Sequence, residues 1–420
     1  MLRKTIFWIH LGVGIAAGLA ILMMSVTGVL LTYERQILAW ADRGLVSEPV
    51  EGHAPLGVST LLEAVQQQEP GFAPSSVTIS ADPRAPVSMS AGRGNSRILD
   101  PYTGKMLARE AGGLRAFFDA VTGWHRWFNV EGENRDIARA ITGASTLGFL
   151  FLILSGSYLW LPPVYNRVAF RARLLFNPKA RQGTARDYNW HHAFGIWSVV
   201  PLVVIVASAT IFYYGWANAI VYRSFGEEPP VRGGPPSREA TAPELTVLAG
   251  ERLSLDELTK RAAAQVPAWR TLTLTVPGAT DAVARYFVDR GTGGQPHLRH
   301  DVTLDAFTGE VTANERFAGS PARRTRSLLR FLHTGEALGF AGQTIAGLVS
   351  LTSTVMVWTG LALAWRRLVR PVLPAPGSAQ QPLGREHKPL RTRPSGNQRD
   401  SRTVVAIVGG QGDRFLHPFR

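Results

Sequence analysis

Five histidines lie in or beside apolar stretches, and their spacing limits what they can do. His10 sits in IHLGVG and His191 in WHHAFG. In both, a glycine follows four residues later (Gly14, Gly195) and shares a helix face with the histidine. His125 lies in the aromatic stretch FFDAVTGWHRWF and His333 in FLHTGEALGF. An imidazole in lipid is costly unless it faces a bundle interior and finds a partner or a metal. A glycine one turn away leaves room for a large flat group against the backbone. Haem is such a group, with histidine as its common axial ligand. Two other uses stay open. The histidines can be interfacial side chains that reach the headgroups, or they can hold zinc or copper, although no carboxylate or thiol joins them within the apolar runs. His192 is a reserve for His191. His53, His297, His300, His387 and His417 fall in polar segments and read as solvated loop residues.

These histidines need elements to carry them. Crossing ~30 Å of hydrocarbon takes roughly 20 apolar residues at 1.5 Å each, and four runs are long enough. The chain divides into a transmembrane helix at 1–36, a polar α+β block at 45–115, and an interfacial segment with a second transmembrane helix at 116–161. A basic loop follows at 162–187, then a third transmembrane helix at 188–216 and a second polar block at 217–322. An interfacial segment with a fourth transmembrane helix covers 323–367, and a basic tail at 368–420 is expected to be disordered. The first run is too long for a signal-peptide core and lacks a small-residue cleavage site, so it reads as an uncleaved span. In the polar blocks a helix is expected near 59–68 and another over 253–266. Strands are expected near 76–80, 86–90, 97–108 (as strand, turn, strand), 271–276, 284–290 and 300–313.

Composition sets further bounds. Hydrophobic residues make up 45% of the 420, yet the mean hydropathy is close to zero, as expected when long apolar blocks alternate with polar ones. There is no cysteine. That excludes disulfides, cysteine-ligated iron–sulfur clusters and the covalent attachment of c-type haem, so any haem is non-covalent. The formal net charge is +14. Much of it sits at the N-terminus, in the 162–187 loop and in the tail, which the positive-inside rule places in the cytoplasm. The two polar blocks are then outside. The charge marks a membrane face, not a nucleic-acid partner.

The chain also repeats itself. A His-x-x-x-Gly helix opening, a polar block ending in Asp100-Pro101-Tyr102-Thr103-Gly104, an aromatic-flanked His125 and a helix with Ser155-Gly156 and Trp160 form one unit. His191, Asp305-Ala306-Phe307-Thr308-Gly309, His333, Thr359-Gly360 and Trp365 form a second, in the same order. These features resemble the PepSY-associated transmembrane-helix family, which includes bacterial inner-membrane iron-uptake proteins and ferric-siderophore reductases. The resemblance covers roughly residues 1–370. It departs at Asp305-Ala306-Phe307, where Asp-Pro-Tyr is usual, and at His10 and His333, which lack a following Arg.

The resemblance implies an α-helical membrane protein of four transmembrane helices, built as a duplicated unit of helix, PepSY-like α+β domain and helix, with two extracytoplasmic domains. It implies a bacterial inner-membrane, multi-pass protein with both termini cytoplasmic. The family's histidine-led helices hold b-type haems, which carries the ligand role to His10, His125, His191 and His333. Helix direction puts His10 and His191 near the inner face and His125 and His333 near the outer one, so the expectation is two non-covalent b-type haems, one per leaflet. Gly14 and Gly195 would pack against haem, and Arg126 and Arg330 would meet propionates. The expected activity is that of a ferric-chelate (siderophore) reductase. A quinol or a separate cytosolic flavin reductase would be the donor and a ferric siderophore the acceptor. The acceptor is expected at a basic, aromatic mouth containing Arg115, Arg126, Arg323, Arg324, Arg326 and Arg330 with Trp124, Trp127, Phe128 and Phe331. Two other classes compete: a PepSY-type regulatory or peptidase-inhibiting protein whose helices only anchor it, and a metal or chelate transporter.

Overall fold

Apolar runs become helices wherever no proline or charge interrupts them, and the computed structural model follows that rule. It describes residues 1–48, 54–92, 94–107, 112–180, 183–230, 251–278 and 280–369. The expected disordered tail beyond 369 lies outside these residues, as do His53, His387 and His417.

In chain order, α1 (Leu2–Leu31) leads into the short α2 (Glu34–Arg43). The first polar block holds α3 (Val58–Gln68), β1 (Ser76–Ser80), β2 (Val87–Ser90) and β3 (Ser96–Leu99). Next come α4 (Gly112–Trp127), α5 (Arg135–Trp160), α6 (Arg167–Leu174), α7 (Gly183–Tyr213) and α8 (Gly215–Arg223). The second block holds α9 (Leu255–Ala264), β4 (Thr271–Thr275), β5 (Val283–Asp289), β6 (Arg299–Asp305) and β7 (Val311–Arg316). The chain then forms α10 (Pro321–His333) and α11 (Gly339–Leu368).

Four helical stretches among the described residues are long and apolar enough to cross a membrane: α1 with α2, α5, α7, and α11. This is a membrane protein. Helix α1 packs on α5 and α11, and α7 packs on the same two, closing a four-helix ring. Side chains tie the ends. Arg3 donates to the carbonyls of Leu159 (2.7 Å) and Leu161 (2.5 Å), which α5 leaves without helical partners. At the same end, buried Asp187 of α7 pairs with Arg186 (2.8 Å) and with Arg366 of α11 (2.5 Å). At the other end, Gln36 donates to Gln343 Oε1 (2.6 Å), and Gln343 donates to the Thr32 carbonyl (3.1 Å).

The two polar blocks, read above as two domains, share one seven-stranded antiparallel sheet in the order β3-β2-β1-β4-β5-β6-β7. The seam is β1 on β4, registered from Ser76 opposite Thr275 to Ser80 opposite Thr271. Thr78 and Thr273 hydroxyls meet across it at 2.8 Å. Helices α3 and α9 supply Leu61, Val65, Leu258 and Ala262 to one apolar core with Val77, Leu272, Leu274 and Tyr286. The reason is physical. A three-stranded and a four-stranded sheet apart would each expose an edge and half a core, and joining them removes both costs. The strand expected after the Asp100 turn is a single bridge, Leu99 to Met106.

The two Asp-x-x-Thr-Gly turns fold alike. Asp100 Oδ1 accepts from the Tyr102 and Thr103 N–H groups (2.8 and 3.0 Å), and Asp305 Oδ1 accepts from Phe307 and Thr308 (both 2.8 Å). Gly104 and Gly309 sit at φ +68° and +71°, where a Cβ is strained. The Pro101 carbonyl accepts from Leu56 N–H (2.8 Å) just before α3, and the Ala306 carbonyl accepts from Leu253 N–H (3.0 Å) just before α9. A carbonyl does this work, so alanine serves where proline is usual.

Candidate functional site

Each of the four histidines is gripped by a hydroxyl on a neighbouring helix. His10 Nδ1 meets Ser155 Oγ at 2.8 Å, and His125 Nδ1 meets Thr27 Oγ1 at 2.9 Å. His191 Nδ1 meets the Met356 carbonyl at 3.0 Å and Thr359 Oγ1 at 3.2 Å. His333 Nδ1 meets the Ile205 carbonyl at 2.8 Å and Ser208 Oγ at 3.5 Å.

These contacts fix the proton. A carbonyl only accepts, so His191 and His333 must carry the hydrogen on Nδ1. Thr27 already donates to the Met23 carbonyl (2.7 Å) and Ser155 to the Phe151 carbonyl (2.7 Å), so both hydroxyls can only accept from the rings. All four rings are thus Nδ1–H tautomers whose Nε2 keeps its lone pair. A histidine fixed through Nδ1 by an outer partner, with Nε2 presented, is how a metal-binding imidazole is set up.

The residue after each hydroxyl is small. A Cβ on Gly156 would come within 3.3 Å of His10 Cε1, and one on Gly360 within 3.2 Å of His191 Cε1. A Cβ on Gly28 would stand 3.7 Å from His125 Cε1. The fourth pair is Ser208-Ala209. The sequence showed Ser155-Gly156 and Thr359-Gly360 as a repeated pair without a role. Thr27-Gly28 and Ser208-Ala209 were missed, because a hydroxyl beside a small residue is ordinary in an apolar helix. Their spacing was the available signal: Thr27 follows His10, and Ser208 follows His191, by the same 17 positions. That separates two histidine layers by about 25 Å along the helix axes.

At the sheet end of the ring, α4 and α10 carry His125 and His333 to each other. Their ring centres stand 6.4 Å apart at an interplanar angle of 64°. That lies within the edge-to-face range of two packed rings. A separation of roughly 6 Å would also suit two imidazoles that hold one metal between them. At the other end, His10 and His191 lie within electrostatic reach of each other. His192 is adjacent, with its ring centre 6.3 Å from that of His191, but its Nδ1 is turned to its own helix. Its Nδ1 donates back to Tyr188 of its own helix (2.9 Å), and its ring lies on the Tyr188 ring at 4.1 Å.

The donor set fits haem. Among the described residues, no three of His, Asp and Glu gather as a metal site. A tetrahedral zinc site wants three or four protein ligands, whereas haem iron takes four bonds from its macrocycle and asks the protein for two. Gly14 and Gly195 face α5 and α11: added Cβ atoms would stand 3.9 Å from Leu152 and 3.5 Å from Met356.

The basic mouth is redrawn. Arg115 pairs with Asp42 and is not part of it. Arg324 lies over Phe317 (5.9 Å) and not in the cavity. Arg126 lies over Trp127 at 5.0 Å and within electrostatic reach of Arg330, which lies over Phe331 at 5.5 Å. Arg323, Arg326 and Arg330 line a cavity of about 370 Å³, joined by Arg35 and Arg299, which lie far off in sequence. His300 meets Asn314 Oδ1 (3.1 Å), and the His297 carbonyl accepts from Arg316 (3.0 Å).

The family model described as the PepSY-associated TM region matches residues 7–385. No curated protein matches the chain.

Proposed function

Since the chain belongs to the PepSY-associated TM family, we propose that it is a di-haem b oxidoreductase of the bacterial inner membrane that delivers electrons outward to a ferric siderophore and releases Fe(II). The observation that carries this reading is the set of four rings held through Nδ1 with Nε2 presented, in two layers. His10 and His191 would hold one haem and His125 and His333 the other. When bound, haem would supply one-electron oxidation and reduction.

The remaining work belongs to the protein. Ser155, Thr27, Thr359 and the Met356 and Ile205 carbonyls keep the hydrogen on Nδ1 and aim each ring. Gly156 and Gly360 let the rings lie against a neighbouring helix, and Gly14 and Gly195 leave room beside them. Arg126 and Arg330 would meet propionate carboxylates.

The unit of helix, α+β block and helix reads as a duplication, supported by the matched turns, the antiparallel β1–β4 seam and the equal 17-residue intervals. Arg167, Arg171 and Arg173 lie between α5 and α7, Arg186 lies in the first turn of α7, and Arg366 and Arg367 close α11. That end is therefore read as cytoplasmic, with both termini, and the sheet as periplasmic. Electrons would enter at the His10–His191 layer from a quinol or a separate cytosolic flavin reductase. Each Fe(III) takes one electron, so a two-electron donor serves two chelates. A regulatory anchor needs no histidines held in this way. A transporter needs polar groups free near the midplane, whereas Ser25 and Ser353 bond to each other at 2.8 Å.

The test is anaerobic stopped-flow mixing of the dithionite-reduced protein with ferric chelates. Decay of the reduced haem band with appearance of Fe(II) is expected. A band that persists with every ferric chelate and decays with an unrelated acceptor would leave only the electron conduit.

A further inference from the structure

Over the three turns that lead to His333, α10 presents Arg323, Arg326 and Arg330 to the 370 Å³ cavity. Their spacing of three and four keeps them on one helix face. Arg35 of α2 and Arg299 of β6 enter from other elements, and among the described residues no acidic side chain lines the space. Glu336 engages Arg35 at 3.0 Å from outside the lining. Asp289 Oδ2 forms an ion pair with Arg299 at 3.6 Å, and Arg299 also donates to the Gly293 carbonyl, while its Nε is buried without a hydrogen-bond partner. The Phe331 ring lies beneath Arg299 (4.9 Å) and Arg330 (5.5 Å) and steadies both planes. Gathering five guanidinium groups costs like-charge repulsion and desolvation, which an anion in their midst offsets.

The size and the donors define that anion. The volume is at the low end of small-molecule sites, roughly 300–1,000 Å³. Planar guanidinium forks suit carboxylate oxygens, two bonds at a time. Arg330 leads within one turn to His333, so a bound group lies next to the outer histidine layer. We infer that this cavity binds a small polycarboxylate complex of ferric iron, and that charge selects it over an uncharged hydroxamate complex. The iron in this statement rests on the reductase reading above; the polyanion site does not.

The probe is Ga(III)–citrate, which has the charge and shape of a ferric polycarboxylate but takes no electron. It is titrated by calorimetry into the full-length, haem-loaded protein in phosphatidylcholine nanodiscs. Saturable binding is expected, weakening steeply between low and high salt. Arg323→Gln/Arg326→Gln should weaken it by about tenfold or more with the haem absorbance unchanged. Arg285→Gln, toward the other end of β5, should match the unaltered protein. An uncharged Ga(III) tris-hydroxamate should bind at least tenfold more weakly. The inference is overturned if binding is absent or insensitive to salt, if the hydroxamate complex binds equally, if inorganic phosphate competes at equal concentration, or if the double variant loses haem instead of the anion. Tight Ga(III)–citrate binding without reoxidation of reduced haem by Fe(III)–citrate would refute the reductase reading and leave the anion site standing.

Discussion

His125 and His333 come from chain segments 208 positions apart, yet their rings stand 6.4 Å from centre to centre, each held at Nδ1 by a different membrane-crossing helix. Thr27 of α1 fixes one and the Ile205 carbonyl of α7 fixes the other. This relationship sets the first two predictions.

His125→Ala and His333→Ala should each remove the same haem, and His10→Ala and His191→Ala the other. A pyridine haemochrome assay should find about two b haems in the unaltered protein and about one in each variant, because an iron needs both axial ligands. His192→Ala should retain about two. Unchanged haem content in a His10→Ala/His125→Ala double variant would contradict the assignment.

Thr27→Val keeps the shape of the side chain and removes the oxygen that accepts from His125 Nδ1. Loss of such an outer partner weakens metal-site affinity by about 10- to 100-fold. The variant should retain its outer haem at saturating haem, with a shifted reduction potential in a spectroelectrochemical titration. A purely structural Thr27 would leave that potential where it was.

Gly360→Val places methyl groups where even a bare Cβ would stand 3.2 Å from His191 Cε1. The ring must move, so the haem of the His10–His191 layer should be lost while the other stays. Ala209→Gly, at the corresponding place beside Ser208, should keep both. Low-temperature absorption spectra of the α band resolve the two layers.

Reporter fusions at Gly226 and Gly384 should give opposite answers, Gly226 outside and Gly384 in the cytoplasm, because basic segments mark the inner ends of the helices. The same answer at both would overturn the orientation.

The N–H groups of Thr308 and Phe307 hold the Asp305 carboxyl below the usual carboxylate value, against the opposing push of burial. A depressed folded value means stability that is present above the unfolded value and is lost as pH falls through the folded one. The sheet should therefore weaken as pH drops below about 4. Asp305→Asn should be less stable at neutral pH and flatter in its pH response, read as the thermal midpoint of the β-sheet circular dichroism. An identical pH response in the variant would assign the acid sensitivity elsewhere.

The amino-acid sequence by itself determined the four spans, most helix and strand positions, the two Asp-x-x-Thr-Gly turns and the identity of the four histidines. These are local properties: apolar length, periodicity, and the turn chemistry of Asp, Thr and Gly. Only the tertiary structure decided what partners the residues have. It set His191 against the Met356 carbonyl and Thr359 and folded His192 back on Tyr188, contacts that the repeat register, which put His191 first, does not contain. It gave Thr27 and Ser208 a role, since a hydroxyl becomes a clamp only when another helix brings an imidazole to it. It merged two blocks into one sheet because an unpaired edge and half a core are costlier than a long-range seam. It also brought Arg35 and Arg299 to the α10 arginines and turned Arg115 and Arg324 away, because charge in a sequence has no direction until side chains are packed.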